Sequence, residues 1–269
     1  MAGLLVTVLA TYLVVAGLQM SAAVRQRGLG SCQSGVDVGT ACSVALNSFT
    51  GSFFGIAESV RYVLLALPVL LGVFVAAPLL AREVEDGTHL FAWTQSITRT
   101  RWFSTTVLLL GAFTILVATA LTIIVGWWQQ PLEQMYADRM WTFFEVMGPV
   151  SVAYAVFALA LGLAAGTVIQ RTVPAMAATL FVFVGARAGV HLWRPWFEPP
   201  LTQQLPAPAA ILRGALQIAS RTLDNPRAMF VYQPADRFWT FQVVEMAIFL
   251  GLAIVLIALS VWWLRHRVH

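Results

Sequence analysis

The sequence contains no lysine, and its 16 basic residues are all arginine. A Walker A loop needs a lysine on the nucleotide phosphates, so this chain cannot form one. Covalent catalysis through a lysine Schiff base is excluded for the same reason. Hydrolysis of ATP by this chain alone is therefore a poor interpretation of its sequence.

Charged residues are scarce as well. They make up 10% of the 269 residues, against about 25% in an average soluble domain. Hydrophobic residues make up 59%, and the mean hydropathy is +0.79. A soluble fold of this size has too little interior to hide that much apolar surface. The composition predicts a chain that lies in a lipid bilayer and has no nucleic-acid partner, and we attribute the net charge of +4 to arginines in loops and at interfaces.

Six stretches are long and apolar enough to cross a hydrocarbon core of about 30 Å. Because backbone groups in lipid must be satisfied within each segment, we expect an all-α bundle of six membrane helices. The first stretch has no basic n-region, which favours a retained helix over a cleaved signal peptide. The predicted spans are Gly3–Met20, Tyr62–Ala81, Phe103–Trp128, Val146–Ile169, Val173–Leu192 and Thr240–Leu264.

Arginine distribution predicts the orientation. With both termini in the cytoplasm, the inner segments 82–102, 170–172 and 265–269 hold six arginines within about 30 residues. The outer loops, 21–61 and 193–239, hold more arginines spread over a much longer length. Within the second of these loops, apolar residues recur at helical spacing from Ile211 to Leu223, which predicts a short amphipathic helix at the outer interface.

Two cysteines, Cys32 and Cys42, occur in the sequence, and both fall in the outer loop 21–61. A disulfide can persist on that side of the membrane, which favours a Cys32–Cys42 bridge over two free thiols. Four nearby glycines predict turns here rather than a folded module.

The segment from Arg82 to Trp102 carries the main functional signal. Its three acids come first and Arg99 and Arg101 come last, and Gly87 can end one helix before Thr88 caps another. An apolar piece ending in Trp93 lies between them. Such a segment suits docking into a groove of a partner protein, although a solvated linker with Trp93 in the lipid interface remains an equal alternative.

Two runs of residues resemble a known family. The first is Arg82-Glu83-x-Glu85-x-Gly87-Thr88, followed by Ala92-Trp93-Thr94-Gln95-Ser96-x-Thr98-Arg99-x-Arg101-Trp102. The second extends from Tyr232 through Arg237-Phe238-Trp239 to Glu245. Both are similar to the ABC-2 type transporter permeases of actinobacteria, which include multidrug and antibiotic exporters of the type V kind. Members usually carry an amphipathic cytoplasmic helix before the first span, whereas here the apolar run begins at Gly3.

The resemblance implies a permease subunit without ATPase activity, in a bacterial cytoplasmic membrane. Two such subunits, identical or related, pair above two ATP-binding-cassette ATPases, which bind the ATP and magnesium, so no cofactor is expected in this chain. In the family, the loop after the second span forms the coupling helix that docks into the ATPase. Carried over by position, the candidate coupling residues are Glu83, Glu85, Gly87, Thr88, Trp93, Thr94, Gln95, Ser96, Arg99 and Arg101.

Two ionisable residues, Arg187 and Glu245, fall inside predicted spans at similar depth. We expect them to pair or to line a polar cavity, and a pair that only locks two helices together is an equal alternative. The spacings Gly162-x-x-x-Gly166 and Gly185-x-x-x-Gly189 could let helices approach closely, as at a dimer seam. Scattered histidines and the lack of a nucleophile motif predict neither a metal site nor a catalytic site.

The leading hypothesis is the membrane subunit of an ATP-driven exporter of an amphiphilic or hydrophobic substrate. Its main rival is a secondary transporter or channel that uses an ion gradient through groups such as Arg187 and Glu245. An intramembrane enzyme is the third interpretation, and no recognisable cofactor motif supports it.

Overall fold

A computed structural model of the protein describes residues 2–29, 40–85, 99–135, 139–206, 214–222 and 227–266. Helices dominate these residues, and a short π-helical segment, Gly72–Ala76, continues one of them. We number the helices α1 (Ala2–Gln26), α2 (Thr40–Leu71), α3 (Ala77–Glu85), α4 (Arg99–Met135), α5 (Arg139–Thr142), α6 (Pro149–Ile169), α7 (Thr172–Trp193) and α8 (Phe238–His266). The strands are β1 (Leu201–Pro206), β2 (Leu216–Thr222) and β3 (Arg227–Gln233).

Six helical stretches of the described chain are long and apolar enough to cross a membrane, which confirms the predicted helical membrane fold. Large apolar side chains are exposed along most of them, as expected for surfaces that contact lipid. The stretches are Thr7–Gln26, Cys42–Arg82, Arg101–Glu133, Pro149–Ile169, Thr172–Trp196 and Ala235–His266.

The second stretch differs most from its predicted span. It has 41 residues, about 60 Å of helix, which is about twice the length that a membrane crossing requires. The loop predicted over residues 21–61 is therefore wrong for residues 40–61, which are helical, whereas the turn predicted at Gly28 is present, with a φ of 62°. The polar side chains that suggested a loop bond back to the preceding helical turn instead, as Ser52 does to Ser48 and Ser59 to Gly55, both at 2.8 Å.

The amphipathic helix predicted over Ile211–Leu223 is also wrong for its described part, because residues 216–222 form strand β2. Strand β3 lies in the middle of a three-stranded sheet of order β1-β3-β2, and both pairings are antiparallel. The aromatic and β-branched run Phe230-Val231-Tyr232 favours a strand, and pairing with it overrides the weak helical period of β2. A register shift between Gln217 and Ala219 marks a bulge in β2.

The chain forms two compact units. Unit one comprises Met1–Tyr62, Leu121–Gly148 and Trp193–Gln242, and unit two comprises Val63–Ala120, Pro149–Leu192 and Val243–His269.

Aromatic rings form much of the core of unit one. Trp141 contacts three phenylalanines, Phe144, Phe238 and Phe241, with ring centroids 5.4–5.7 Å apart. The indole N–H of Trp141 donates to the Gly214 carbonyl at 2.7 Å. The pair with Phe144 is stacked and the other two are edge-to-face, and aromatic pairs of both kinds add to the free energy gained from burial alone. They hold the start of α8 against the segment that follows α5.

Unit two is built on α6, which is the most buried of the six membrane helices. Its two glycines lie against the second stretch: a Cβ on Gly162 would come 2.5 Å from the Gly72 carbonyl oxygen, and one on Gly166 would come 2.7 Å from the Ala77 carbonyl oxygen. The close approach that this Gly-x-x-x-Gly spacing permits is therefore present within the chain, between α6 and the second stretch. A Cβ on Gly185 or Gly189 would meet nothing within 4 Å among the described residues outside its own stretch of helix.

Replacing Gly162 with alanine should therefore destabilise the protein by about 1–3 kcal/mol, because the new methyl group forces two backbones apart. The matched control is Gly185→Ala, which adds the same methyl group where space is open and removes an entropically unfavourable glycine from a helix. Thermal unfolding in detergent should show a lower midpoint for Gly162→Ala alone. Equal midpoints for the two variants would contradict the described packing.

Candidate functional site

The predicted coupling segment begins where α3 ends and finishes in the first turn of α4. Glu83 and Glu85 lie in α3, while Arg99 begins α4 and Arg101 follows it with an exposed side chain. The remaining predicted coupling residues lie outside the described residues: Gly87, Thr88, Trp93, Thr94, Gln95 and Ser96.

Glu85 caps the start of α7. One of its carboxylate oxygens, Oε2, accepts hydrogen bonds from the Thr172 backbone N–H at 3.0 Å and from the Thr172 hydroxyl at 2.7 Å. The first N–H groups of a helix have no partner within the helix, and a carboxylate there also complements the positive helix end. The last residue of α3 is therefore attached directly to the short connection between α6 and α7.

That connection reverses the chain within two residues. Gln170 adopts a left-handed conformation, with φ of 56°, and its N–H donates to the Gly166 carbonyl at 3.2 Å, which closes the end of α6. Arg171 follows, and Thr172 begins α7. The end of the second stretch and the turn between the fourth and fifth therefore lie at the same end of unit two, as the predicted topology requires.

The environment of Glu85 favours its charged form. The hydrogen bond from the Thr172 hydroxyl, and then that from the Thr172 amide, lowers the pKa of Glu85 below its ordinary value. Desolvation opposes these hydrogen bonds with a smaller effect, and the positive charges of Arg171 and Arg82 lower the pKa slightly further. This end of unit two thus carries an anionic cap between arginines.

Helices on both sides of the predicted coupling segment rest on α6. Leu80 of α3 and Phe103 of α4 belong to one buried cluster together with Leu159 and Leu163 of α6. Ala76 completes this cluster, and Trp102 packs against it. Residues 86–98 are therefore bounded by two helices that share a single core.

The two intramembrane charges, Arg187 and Glu245, meet at Tyr154 of α6. The Tyr154 hydroxyl donates to Glu245 of α8, and the guanidinium carbon of Arg187 in α7 lies 4.1 Å from the centre of the Tyr154 ring. Tyr154 and Glu245 are each 1% exposed. Arg187 thus makes a cation–π contact with the same side chain that hydrogen-bonds the carboxylate.

Aromatic rings surround this polar group. Phe249 of α8 packs edge-on against both Tyr154 and Phe157, and Phe157 stacks on Phe183 of α7. Polar groups in so apolar a setting interact strongly and are costly to leave unpaired. The arrangement ties α6, α7 and α8 together within unit two, which fits the helix-locking alternative more closely than a polar cavity.

In unit one, Cys42 lies near the start of α2 and is disulfide-bonded. Cys32, the other cysteine of the sequence, lies outside the described residues.

The second family-like run begins near the end of β3, and its polar side chains bond to several other segments of unit one. Gln233 donates to the carbonyls of Pro195 and Glu198 at 2.9 and 2.7 Å, and Arg237 forms an ion pair with Glu198 at 2.8 Å. Gln242 donates to the Phe144 and Met147 carbonyls at 2.7 and 3.1 Å. Gly148 has a φ of +69°, and a Cβ added to it would come 2.9 Å from the side-chain oxygen of Gln242, so a larger residue at position 148 would clash.

Several residues of these arrangements were missed from the sequence. In the sequence, Tyr154 is one of several aromatic residues in an apolar span, and nothing in its spacing indicates that Arg187 and Glu245 contact it. Glu145 and Arg194, which pair at 3.0 Å, lie 49 positions apart in separate loops. The polar residues at the end of α4, such as Gln129 and Glu133, were visible in the sequence but were not used to predict a site.

Comparison with known protein families gives one match. A sequence model described as "ABC-2 membrane transporter related" matches residues 3–194, which is more than two thirds of the chain. This chain belongs to that family. No curated protein and no solved structure matches it. The matched region ends after α7, so the sheet and α8 lie beyond it.

Membership identifies the chain as an ABC-2 permease, the membrane subunit of an ABC transporter that is not itself catalytic. It also implies association with an ATP-binding-cassette ATPase and with the membrane. Together with the six apolar helices, it makes the protein a multi-pass membrane protein.

Removing the Glu85 cap should loosen the start of α7 in this permease. In Glu85→Ala, we expect faster hydrogen exchange at the Thr172 amide, while Glu58→Ala, which removes a carboxylate paired with Arg61 on α2, should leave it unchanged. Because the pKa of Glu85 is lowered, the wild-type cap is fully formed above the ordinary carboxyl pKa. Protection of the Thr172 amide from exchange should decrease as the pH falls below that value, after correction for intrinsic exchange. A Thr172 amide equally protected in Glu85→Ala would contradict the cap.

Tyr154→Phe should destabilise the permease by about 1–3 kcal/mol, because it keeps the ring under Arg187 but removes a hydrogen bond to a buried carboxylate. Tyr62→Phe is the matched control, since Tyr62 is 62% exposed with Arg61 over its ring. Thermal unfolding measures the loss of stability in each of these two variants. A double-mutant cycle with Arg187→Met and Glu245→Gln should show coupling, and additive effects would refute a shared polar group.

Proposed function

We propose that this permease exports an amphiphilic or hydrophobic substrate, driven by a separate ATPase that binds ATP and Mg²⁺ and docks on residues 82–102. The observation that carries this proposal is the attachment of Glu85, the last residue of α3, to the start of α7. A movement imposed on the segment after Glu85 would thereby act on the second and fifth membrane helices together.

The packing of unit two supports the same transmission. Movement of α3 would pass to α6, because Gly162 and Gly166 allow backbone contact that leaves no room for sliding without a clash. Movement of the start of α4 would reach α6 as well, through Phe103 in the shared cluster. A docked partner would therefore move several spans as one body and so change access to the substrate path.

The arginines support a cytoplasmic position for this end of the permease. Arg82, Arg101 and Arg171 lie in or beside the two short connections, and Arg265 lies in the last turn of α8. Such residues favour the cytoplasmic side. Both termini would then be cytoplasmic, in a bacterial cell membrane, and the sheet of unit one would be extracytoplasmic.

A second permease, identical or related, is part of the proposal. The exposed surface of α7 is mostly apolar, and Gly185 and Gly189 on this helix have open space beside them among the described residues. Small residues on an exposed membrane helix allow another helix to approach closely. The apolar, largely uncharged spans likewise support an amphiphilic or hydrophobic substrate.

Trp93→Ala should release the ATPase from the purified transporter, because the proposal makes Trp93 the anchor of the docking segment. The experiment co-purifies the permease with its ATPase in detergent and compares their ratio with that of the wild type. Trp239→Ala is the matched control, since it removes an exposed indole at the start of α8, in the region assigned to the opposite side.

An ATPase that stays bound to Trp93→Ala and leaves with Trp239→Ala would overturn the assigned orientation. Substrate transport that persists with no ATPase present, and that depends on an ion gradient, would favour the secondary-transport rival instead.

A further inference from the structure

Late in α4, three residues carry buried polar atoms that have no hydrogen-bond partner among the described residues. They are the indole nitrogen of Trp128, both amide atoms of Gln129 and carboxylate Oε1 of Glu133. Trp128 is 2% exposed and Gln129 is 1% exposed. Unpaired buried polar atoms are costly, and proteins seldom keep them unless a ligand or a chemical role requires them.

The three side chains are close neighbours in unit one. Gln129 and Glu133 are four residues apart, which places them on the same face of α4 with Cβ atoms about 6 Å apart. Trp128 adjoins Gln129, and its indole edge lies against α1: a Cβ on Gly17 would come 2.9 Å from Trp128 Cδ1, the carbon bonded to the indole nitrogen. The same Cβ would come 2.6 Å from the Trp127 ring, so two indoles lie beside this glycine.

The unpaired atoms select for one kind of ligand group. Glu133 Oε1 and Gln129 Oε1 are acceptors, and no described basic side chain neutralises Glu133. A protonated amine would satisfy both acceptors and would place its charge near indole rings, the side chains that attract cations most strongly. A neighbouring hydroxyl or carbonyl oxygen of the same ligand could accept from Trp128 and from the Gln129 amide. An anion would be repelled by Glu133, and a purely apolar ligand would leave every one of these atoms unpaired.

We propose that Trp128, Gln129 and Glu133 form a binding site for the protonated amine of an amphiphilic substrate. This inference rests on the proposed function, because it gives the transported amphiphile a specific chemical class: amphiphilic amines, with an oxygen near the nitrogen. Glu133 supplies the charge, Gln129 supplies an acceptor and a donor, and Trp128 supplies a donor and an aromatic face.

The test measures binding of one probe to the full-length permease in phosphatidylcholine nanodiscs. The probe is sphingosine with a fluorescent nitrobenzoxadiazole group at the end of its chain, whose free amine lies beside hydroxyl groups, and its N-acetylated derivative is the neutral control. Empty nanodiscs give the background from partitioning into lipid. Wild-type protein should bind the amine about tenfold more tightly than the acetylated control, as expected from one charge-assisted contact. Equal affinities for the two probes would overturn the site.

Variants show which residues cause the preference for the free amine. Glu133→Gln should weaken amine binding about tenfold and leave binding of the acetylated probe unchanged, since it removes the charge and keeps the shape. Trp128→Phe should weaken amine binding less, because the ring remains. Glu58→Gln is the matched control, because Glu58 is a carboxylate of the same unit that is already paired with Arg61. Unchanged amine binding in Glu133→Gln would refute the assignment.

Wild-type protein gives a second readout that does not require a variant to fold. Dicyclohexylcarbodiimide labels carboxyl groups in apolar surroundings, and the modified residue is identified by mass spectrometry. The free amine should protect Glu133 from labelling, whereas the acetylated probe should not. Labelling of Glu133 that the amine leaves unaffected would contradict the proposal. Glu245, which is hydrogen-bonded by Tyr154, serves as the internal control.

The binding and labelling experiments need no ATPase, so they separate this inference from the proposed function. Loss of ATPase docking with intact amine binding would leave the site in place and overturn the coupling mechanism. Intact docking without preference for the amine would leave the coupling mechanism in place and overturn the site.

Discussion

Direct contact between two helix backbones is the constraint on which unit two depends. Gly162 and Gly166 bring α6 against the chain at Gly72, Ala76 and Ala77, where even a methyl group would clash. The local π-helical turn at Gly72–Ala76 lies in this contact. A π-turn shifts the helical register, so the small residues on the two helices can face each other along the contact. Since α3 has little freedom to move apart from α6, the end of the second span can act as a lever on the helix at the centre of the unit.

Two further contacts connect other membrane helices to α3 and α6. The Glu85 cap adds the start of α7, and the Tyr154 group ties α7 and α8 to the middle of α6. Neither contact has to contribute much free energy. Their value lies in position, because they join four membrane helices at defined points and leave other helical faces to lipid. In the proposed mechanism, force from the ATPase would reach the membrane helices through these connections.

Sequence reasoning reached the membrane fold, the number of spans and the family, because these depend on composition, span length and two local motifs. It failed where distant residues decide the outcome. Residues 216–222 became a strand because β3 pairs with them, and residues 40–61 became helix because their hydroxyl groups bond within the helix. The convergence of Arg187 and Glu245 on Tyr154 could not be predicted, since no spacing rule connects three separate helices. Glu85 was found by resemblance, whereas its partner Thr172 is visible only in the fold.

The central claim is that α3 and α6 move as one body when the partner ATPase binds nucleotide. Double electron–electron resonance tests it directly, with spin labels on cysteines introduced at the exposed positions Leu70, in the same continuous helical stretch as α3, and Val168 of α6, in the assembled transporter. We predict one narrow distance distribution that stays the same with and without a non-hydrolysable ATP analogue. A shifted distance, or a second population on addition of the analogue, would contradict this account.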